Sequence, residues 1–285
     1  MTTQISQQDI LQELQVQQEF EAESELERRI DFLARYLRDS GRIAYVLGIS
    51  GGVDSLVAGA LAQRAVTRLR VQGGQAKFVA MRLPYGTQRD ETEAQRCIDF
   101  IAPDKVHTLD IRVGVEAMRQ ALRTAGVDMG DPAAEDFLVG NVKARMRMVA
   151  QYAMAGASGG LVIGTDHAAE ALMGFFTKHG DGAADVLPLA GLSKRRVRLL
   201  GFALGAPADL VNKVPTADLE TLAPLRPDEQ SFGVDYQTID DFLEGRPVDP
   251  AAERIIVKAY MASAHKRKPP ARPVPPAMQK KEGDT

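Results

Sequence analysis

Residues 48–55 read Gly48-Ile49-Ser50-Gly51-Gly52-Val53-Asp54-Ser55. An apolar run from Ile43 to Leu47 precedes them, and a helical pattern starts at Leu56. A buried strand that turns through paired glycines into a helix presents backbone N–H groups and the positive helix end to an anion. Ser50 and Ser55 add hydroxyl donors, and Gly51 and Gly52 let the backbone approach a ligand closely. The anion that suits this cradle is a nucleotide phosphate. The loop lacks the lysine of a Walker A motif and is not a GxGxxG fingerprint. Asp54 is a carboxylate beside the cradle, which requires a cation between it and any phosphate; Mg²⁺ is the usual one. The competing reading is a plain glycine turn with Asp54 at a helix N-terminus. Strand, SGGxDS and helix together favour the cradle.

Other residues could complete such a site. In Gly164-Thr165-Asp166-His167, Asp166 is placed to cap the helix that follows a strand, and Glu170 shares a helix face with His167. Glu170 and Asp54 then supply two carboxylates for one Mg²⁺, while His167 reads equally as structural. Lys178, His179, Asp181 and Asp185 crowd a glycine-punctuated segment that is either a recognition loop or solvated surface. Lys194 opens a helix, where the dipole disfavours a cation, and would supply the charge the loop lacks; a solvated helix face is the alternative. Arg145 shares a stripe with Leu138, Val142 and Val149, so that stripe is either core-facing, with Arg145 needing an anion, or a subunit interface. Lys143 and Arg147 read as ordinary surface charges. Thr216 is an available hydroxyl at the start of a long loop.

These residues need elements to hold them. Residues up to about 40 read as helical, with Ile10 and Leu14, then Leu26, Ile30, Leu33 and Leu37, at helical spacing before Gly41. Strands are expected at 43–47, 77–83, 106–111 and 161–165, with helices from 56, at 90–101, at 113–124 and at roughly 135–157. Repeated βα units predict an α/β fold, a doubly wound parallel sheet with helices on both faces and ligands at the strand carboxyl ends. Residues 214–232 carry three prolines and read as a long loop. Helices follow near 235–244 and 250–263, then a basic, proline-rich tail. The whole reads as one unit: N-terminal helices about 6–40, an α/β core about 41–205, loop and helices about 206–264, tail 265–285.

The 285 residues suffice for a substantial core. With 35 basic against 38 acidic residues, no global field favours nucleic acid. The single cysteine, Cys97, excludes an internal disulfide and suits a reducing compartment. No segment has the length of a membrane span, and the glutamine-rich start shows no signal peptide, so a soluble cytoplasmic protein is expected.

The glycine loop resembles the pyrophosphate loop of the ATP pyrophosphatase superfamily, whose members cleave ATP to AMP and pyrophosphate while adenylating a substrate. With LPYGTQRDE, GNVKARMRM, GTDHAAEALMGFFTKHGDGAAD, LSKR, PTADL, DEQSFGVDYQTIDDFLEG and HKRK, residues 20–268 are similar to the ammonia-dependent NAD synthetases. The resemblance implies a carbon–nitrogen ligase. The carboxylate of deamido-NAD would attack the α-phosphate of ATP, and ammonia would displace AMP from the adenylate. By motif match, residues 48–55 bind ATP with Ser50 to Ser55 on its phosphates, Asp54 and Glu170 bind Mg²⁺, and Thr165, Lys194 and Thr216 contact ATP. Arg82 and Gln88 line the adenosine site. Arg145, Lys178, Asp185, His265 and Lys266 contact deamido-NAD, and Asp181 orients ammonia. The resemblance also implies a homodimer with the dinucleotide across its interface. Only about forty residues precede the first strand, too few for a glutaminase domain, so free ammonia is the expected donor. Three departures stand out. Val53 replaces a usual glutamine, Ala264 an acidic residue, and the last residues lack an aromatic, acidic ending. Another adenylating amidotransferase, or a nucleotide-binding module without turnover, are the alternatives.

Overall fold

The computed structural model describes residues 5–86, 91–217, 221–222 and 226–273. Gln88 and the end of the tail lie outside the described residues. In chain order the elements are α1 (Gln7–Glu13), α2 (Ala22–Asp39), β1 (Ala44–Gly48), α3 (Val53–Val71), β2 (Lys77–Arg82), α4 (Glu91–Ile101), β3 (Lys105–Thr108), α5 (Arg112–Thr124), α6 (Pro132–Ser158) and β4 (Gly160–Val162). Then come α7 (Ala168–Met173), α8 (Lys194–Ala203), α9 (Ala208–Val211), β5 (Thr216–Ala217), β6 (Arg226–Pro227), α10 (Asp228–Phe232), α11 (Tyr236–Leu243), α12 (Pro250–Ala262) and α13 (Ala264–Arg267).

The four strands β1–β4 form a parallel sheet in the order β3-β2-β1-β4. The chain steps outward from β1 to β2 and β3, then returns to the other side of β1 with β4. The crevice between the β1 and β4 ends is therefore the topological switch point where open α/β sheets bind ligands. A parallel bridge from Ile163 to Val186 extends this edge. Alternating residues of β1 and β2 feed two cores. Tyr45, Leu47, Phe78 and Ala80 pack with α2, α3, α4 and α8 on one face. Val46, Val79 and Met81 pack with α5 and α6 on the other. The expected doubly wound α/β architecture is observed. β3 departs from the expected buried strand: all four residues are exposed, as suits an edge.

A third core joins α7, α10, α11 and α12, and Ile10 and Leu11 of α1 pack into it. The expected loop at 214–232 holds the two-residue pair β5–β6, Thr216 opposite Pro227, and the short helix α10. The helix α6 begins at Pro132, earlier than its apolar spacing suggested. Asp131 caps it by accepting from Ala134 N at 2.9 Å, and Pro132 occupies the first turn, where its missing N–H costs nothing. Cys97 is fully buried and its thiol is pushed up to about 11 by burial, so it is structural.

Candidate nucleotide and metal site

The chain leaves β1 at Gly48, turns, and enters α3 at Val53. Gly51 has φ +90°, and a side chain there would meet Ala94 N at 3.0 Å. Gly51 thus folds the loop against α4 and faces away from the cleft. Gly52, at the N-cap of α3, provides no side-chain cap, and the space where its Cβ would stand is open apart from Ser50 Oγ at 3.5 Å. The first-turn N–H groups of α3 are left to an external acceptor. Ser55 differs from expectation: its hydroxyl is buried and donates to Gly52 O at 3.0 Å, bracing the loop. Val53 turns its side chain into the core beside α3, so only its backbone serves the loop.

The loop forms one wall of a cavity of about 400 Å³. Of the residues expected to bind nucleotide or metal, Gly48, Ile49, Ser50, Gly52, Val53, Asp54, Ser55, Thr165, Glu170, Lys194 and Thr216 line it. Asp181 and Lys266 line it too. Arg82 does not: it is buried behind the loop, donating to Ile49 O at 2.9 Å and to Glu91 Oε2 at 2.6 Å. It braces the β1 exit from below.

At the centre, Lys194 Nζ donates to Asp54 Oδ2 at 2.7 Å. Lys194 is only 1% exposed, which excludes the solvated-helix reading. Its place at a helix start is explained by Asp240, whose two oxygens accept from Lys194 N and Arg195 N, both at 2.8 Å. The carboxylate satisfies the helix dipole and frees the lysine side chain for the cleft. Burial works against the Lys194 charge, but Asp54 and Glu170 outweigh it and raise its pKa. Burial likewise opposes ionisation of Asp54, and the Lys194 ammonium reverses this, holding the carboxyl below its usual range.

His167, not Asp166, caps α7, with Nδ1 accepting from Glu170 N at 3.4 Å. Burial drives the imidazole pKa down to about 3, so the ring is neutral, and its Nε2 stands 3.4 Å from Lys194 Nζ. Nε2 also lies 3.4 Å from Asp54 Oδ1 and 3.7 Å from Glu170 Oε2. Asp54, His167 and Glu170 each offer a ligand atom within 4.8 Å of the others. Asp54 Oδ1 is buried without a hydrogen-bond partner. The Glu170 carboxyl is raised well above its ordinary value by burial and then by the Asp54 charge. Asp166 is pushed up to about 8 by burial and by Asp181 and Asp54. The local excess of carboxylates and the orphaned oxygen fit a divalent cation held through Asp54 and Glu170. His167 is a donor sequence reasoning left undecided; its HxxE spacing was the available signal.

The residues assigned to deamido-NAD fall mostly outside the cleft lining. Arg145 Nη2 donates to Lys178 O at 3.3 Å, and Lys178 Nζ to His265 O at 2.7 Å. Lys266 Nζ donates to Gly174 O at 3.0 Å and Phe176 O at 2.9 Å, joining this cluster to the cavity. Asp185 is exposed and holds the end of β4 by accepting from Val162 N at 2.7 Å. The stripe of Leu138, Arg145 and Val149 is exposed, so it does not face the core. Val139, Gly140, Lys143 and Ala144 face inward instead, and this corrects the reading of Lys143 and Arg147 as surface charges. Lys143 is 3% exposed, lies 4.3 Å from the centre of the Tyr85 ring and donates to Thr221 Oγ1 at 2.9 Å. Arg147 lines the cavity and donates to Leu83 O at 3.1 Å. Asp228, also a lining residue, opens the DEQSFG segment but has no individual role in the sequence reading.

Comparison with known proteins adds to this geometry. The NAD synthase family model matches residues 25–270. The chain is 58% identical over 267 residues to the NH(3)-dependent NAD(+) synthetase of Streptomyces coelicolor, covering 94% of this chain and 97% of that protein. The crystal structure of NAD+ synthetase from Burkholderia pseudomallei has a TM-score of 0.81 and 56% identity, over 92% of this chain and 95% of that one. The NMN synthetase of Francisella tularensis has a TM-score of 0.77 and 33% identity, over 90% and 99%.

Proposed function

The chain belongs to the NAD synthase family, and from that premise we propose that it makes NAD from deamido-NAD, ATP and free ammonia through an adenylated intermediate. The observation that carries the reading is the convergence of Asp54, Glu170 and Lys194 on the open N-terminus of α3. A carboxylate is a poor acyl donor until one of its oxygens becomes part of a good leaving group. In the first step an oxygen of the nicotinate carboxylate attacks the α-phosphorus of ATP, and the bond to the β-phosphate oxygen breaks. In the second step ammonia attacks the acyl carbon, loses a proton and expels AMP.

The chain's own groups suit both steps. The first-turn N–H groups of α3 and the loop backbone bind the β- and γ-phosphates, leaving the α-phosphate open to attack. Lys194 neutralises charge that accumulates on departing pyrophosphate. Thr165 and Thr216, both in the cavity lining, orient the nucleotide. Asp54 and Glu170 would hold Mg²⁺, which when bound neutralises phosphate charge. In this reading Asp181, which lines the cavity and accepts from Thr177 N at 3.0 Å, orients ammonia. Substrates that fill the cleft exclude water, which would otherwise hydrolyse the adenylate.

The dinucleotide then extends from the cleft past Lys266 to the Lys178–His265–Arg145 cluster and onto the exposed face of α6. The likeness to an NMN synthetase favours one competing reading, amidation of the mononucleotide by the same chemistry. Exchange of labelled pyrophosphate into ATP tests the proposal. Exchange should require deamido-NAD and a divalent metal but not ammonium, and Asp54→Ala should reduce it by at least about a hundredfold. Formation of ADP and phosphate would overturn the adenylate. Faster exchange with nicotinate mononucleotide than with deamido-NAD would establish the competing reading.

A further inference from the structure

The sheet opens at the cleft because one of its ladders stops early. β1 pairs with β2 as far as Gly48, and Ile49 N still donates to Met81 O at 2.8 Å. On its other side β1 pairs with β4 only from Ala44 to Val46, and the last bond runs from Ile163 N to Val46 O at 2.9 Å. Beyond it the chain turns to Val186, through the Ile163 bridge and a bond from Gly164 N to Val186 O at 3.0 Å. Successive N–H groups of a strand point to opposite sides, so Gly48 N faces the widening gap; a continuing parallel ladder would carry it to Ile163 O. A backbone N–H at the floor of a crevice needs an acceptor. The helix α6 supplies one: Gln151 Oε1 accepts from Gly48 N at 2.8 Å.

That bond orients the rest of the carboxamide. A primary amide has one acceptor oxygen and two N–H donors. The oxygen is committed to Gly48, which fixes the direction of the NH₂. Nε2 donates to Arg147 O at 3.4 Å, at the long end of the hydrogen-bond range. Its second N–H has no acceptor among the described residues. Gln151 is half-buried and lines the cavity on one face of α6 with Gly140, Ala144 and Arg147. Two residues after Gly48 the chain enters the phosphate loop at Ser50, which lines the same cavity. With the β- and γ-phosphates on the loop and the α3 N-terminus, the strand side of the cradle is left to the α-phosphate.

Resting on the nucleotide reading of the cleft, we propose that Gln151 is a nucleotide-binding residue: its carbonyl oxygen closes the gap in the sheet, and its NH₂ donates to an oxygen of the α-phosphate. One side chain thereby holds the switch point open and positions the reacting phosphate. The donor is neutral, so it adds no charge that would retain the departing pyrophosphate.

Calorimetric titration of the full-length protein with ATP and Mg²⁺, beside thermal melts, tests this. Gln151→Met keeps the length and removes both groups; it should lower the melting midpoint by about 2–4 °C and weaken ATP binding at least about tenfold. Gln151→Glu keeps the acceptor for Gly48 N and replaces the donor with a charge. Its midpoint should stay within about 1 °C of the parent, while ATP affinity at about pH 8 falls at least about thirtyfold. The ratio of parent to variant affinity should then shrink about tenfold at about pH 5, where a protonated carboxyl again offers a donor. Parent-like ATP affinity in Gln151→Glu, or a loss that does not change with pH, would overturn the donor role. A parent-like midpoint in Gln151→Met would overturn the ladder role. A parent protein that binds no ATP refutes the nucleotide reading itself, whereas a parent that binds it as tightly as Gln151→Glu refutes only the inference about Gln151.

Discussion

Gly51 and Gly52 are neighbours of one type with opposite duties. At Gly51 the φ of +90° excludes an ordinary side chain, and Ala94 N would lie 3.0 Å from its Cβ. Gly51→Ala should cost about 1–3 kcal/mol of stability, visible as a lower denaturation midpoint. At Gly52 the φ of −87° suits any residue and no backbone stands near its Cβ. Gly52→Ala should leave the midpoint within about 0.5 kcal/mol of the parent yet weaken ATP binding, because the methyl group would project into the cradle. Calorimetry of ATP binding beside thermal melts separates the two effects. Equal loss of stability in both variants would contradict the division of labour. Val53 is accommodated for a related reason: its side chain belongs to the core, so a departure in type there leaves the cradle backbone unchanged.

At the scale of elements, the site depends on how α8 is seated. Asp240 of α11 fixes the first two N–H groups of α8, and Ser193 Oγ and Arg195 bond Glu244 just beyond α11 at 2.9 and 2.7 Å. On the other side α2 is pinned to the segment before α8. Arg29 donates to Pro188 O and, at 3.1 Å, to Ala190 O, while its Nε donates to Glu25 at 2.7 Å. Burial opposes ionisation of Glu25, but Arg28 and Arg29 prevail and hold its carboxyl below the ordinary 4.5. A carboxyl whose pKa is lower folded than unfolded stabilises the fold above its unfolded value and loses that contribution as pH falls through the folded value. Glu25→Gln should therefore cost about 3 kcal/mol at neutral pH, since it leaves the buried Arg29 guanidinium without its counter-charge. The gap between parent and variant in urea midpoints should shrink as pH drops below 4.5. A gap that stays constant with pH would mean that the pair contributes shape and no charge.

For the whole molecule, the exposed stripe of α6 is the feature a single chain leaves unexplained. Leu138 is 44% and Val149 50% exposed, Arg145 lies between them, and Val113 of the adjoining α5 is 77% exposed. Apolar side chains grouped on two packed helices suit a second copy of the chain. Arg145 would then reach the dinucleotide from that interface. Leu138→Glu combined with Val149→Glu should give a monomer by light scattering and lower deamido-NAD affinity at least about tenfold, with ATP affinity preserved. A monomeric parent protein would refute the interface. Among the described residues no helix is long and apolar enough to cross a membrane.

The groups of the cleft were legible before any fold was known, because chemistry leaves local marks. A glycine pair between strand and helix, a carboxylate at the helix start and a lysine where the dipole disfavours it are each visible within ten residues of chain. The βα order was legible for the same reason, since apolar periodicity reports which residues share a face. Periodicity does not report what covers that face. The stripe of Leu138, Arg145 and Val149 is the outer one, while Val142 packs against the core and the inner stripe holds Lys143, whose charge disguised its burial. Nor could spacing set Asp54 against Lys194, 140 residues later in the chain. Asp228 lay beyond reach too, because an orphaned oxygen exists only once its neighbours are in place. Local chemistry along the chain specifies which functional groups are available and on which local elements. The folded arrangement selects which of them meet, which are buried and which remain without a partner. Those properties depend on packing between distant segments, and the electrostatics of the site follow from that packing.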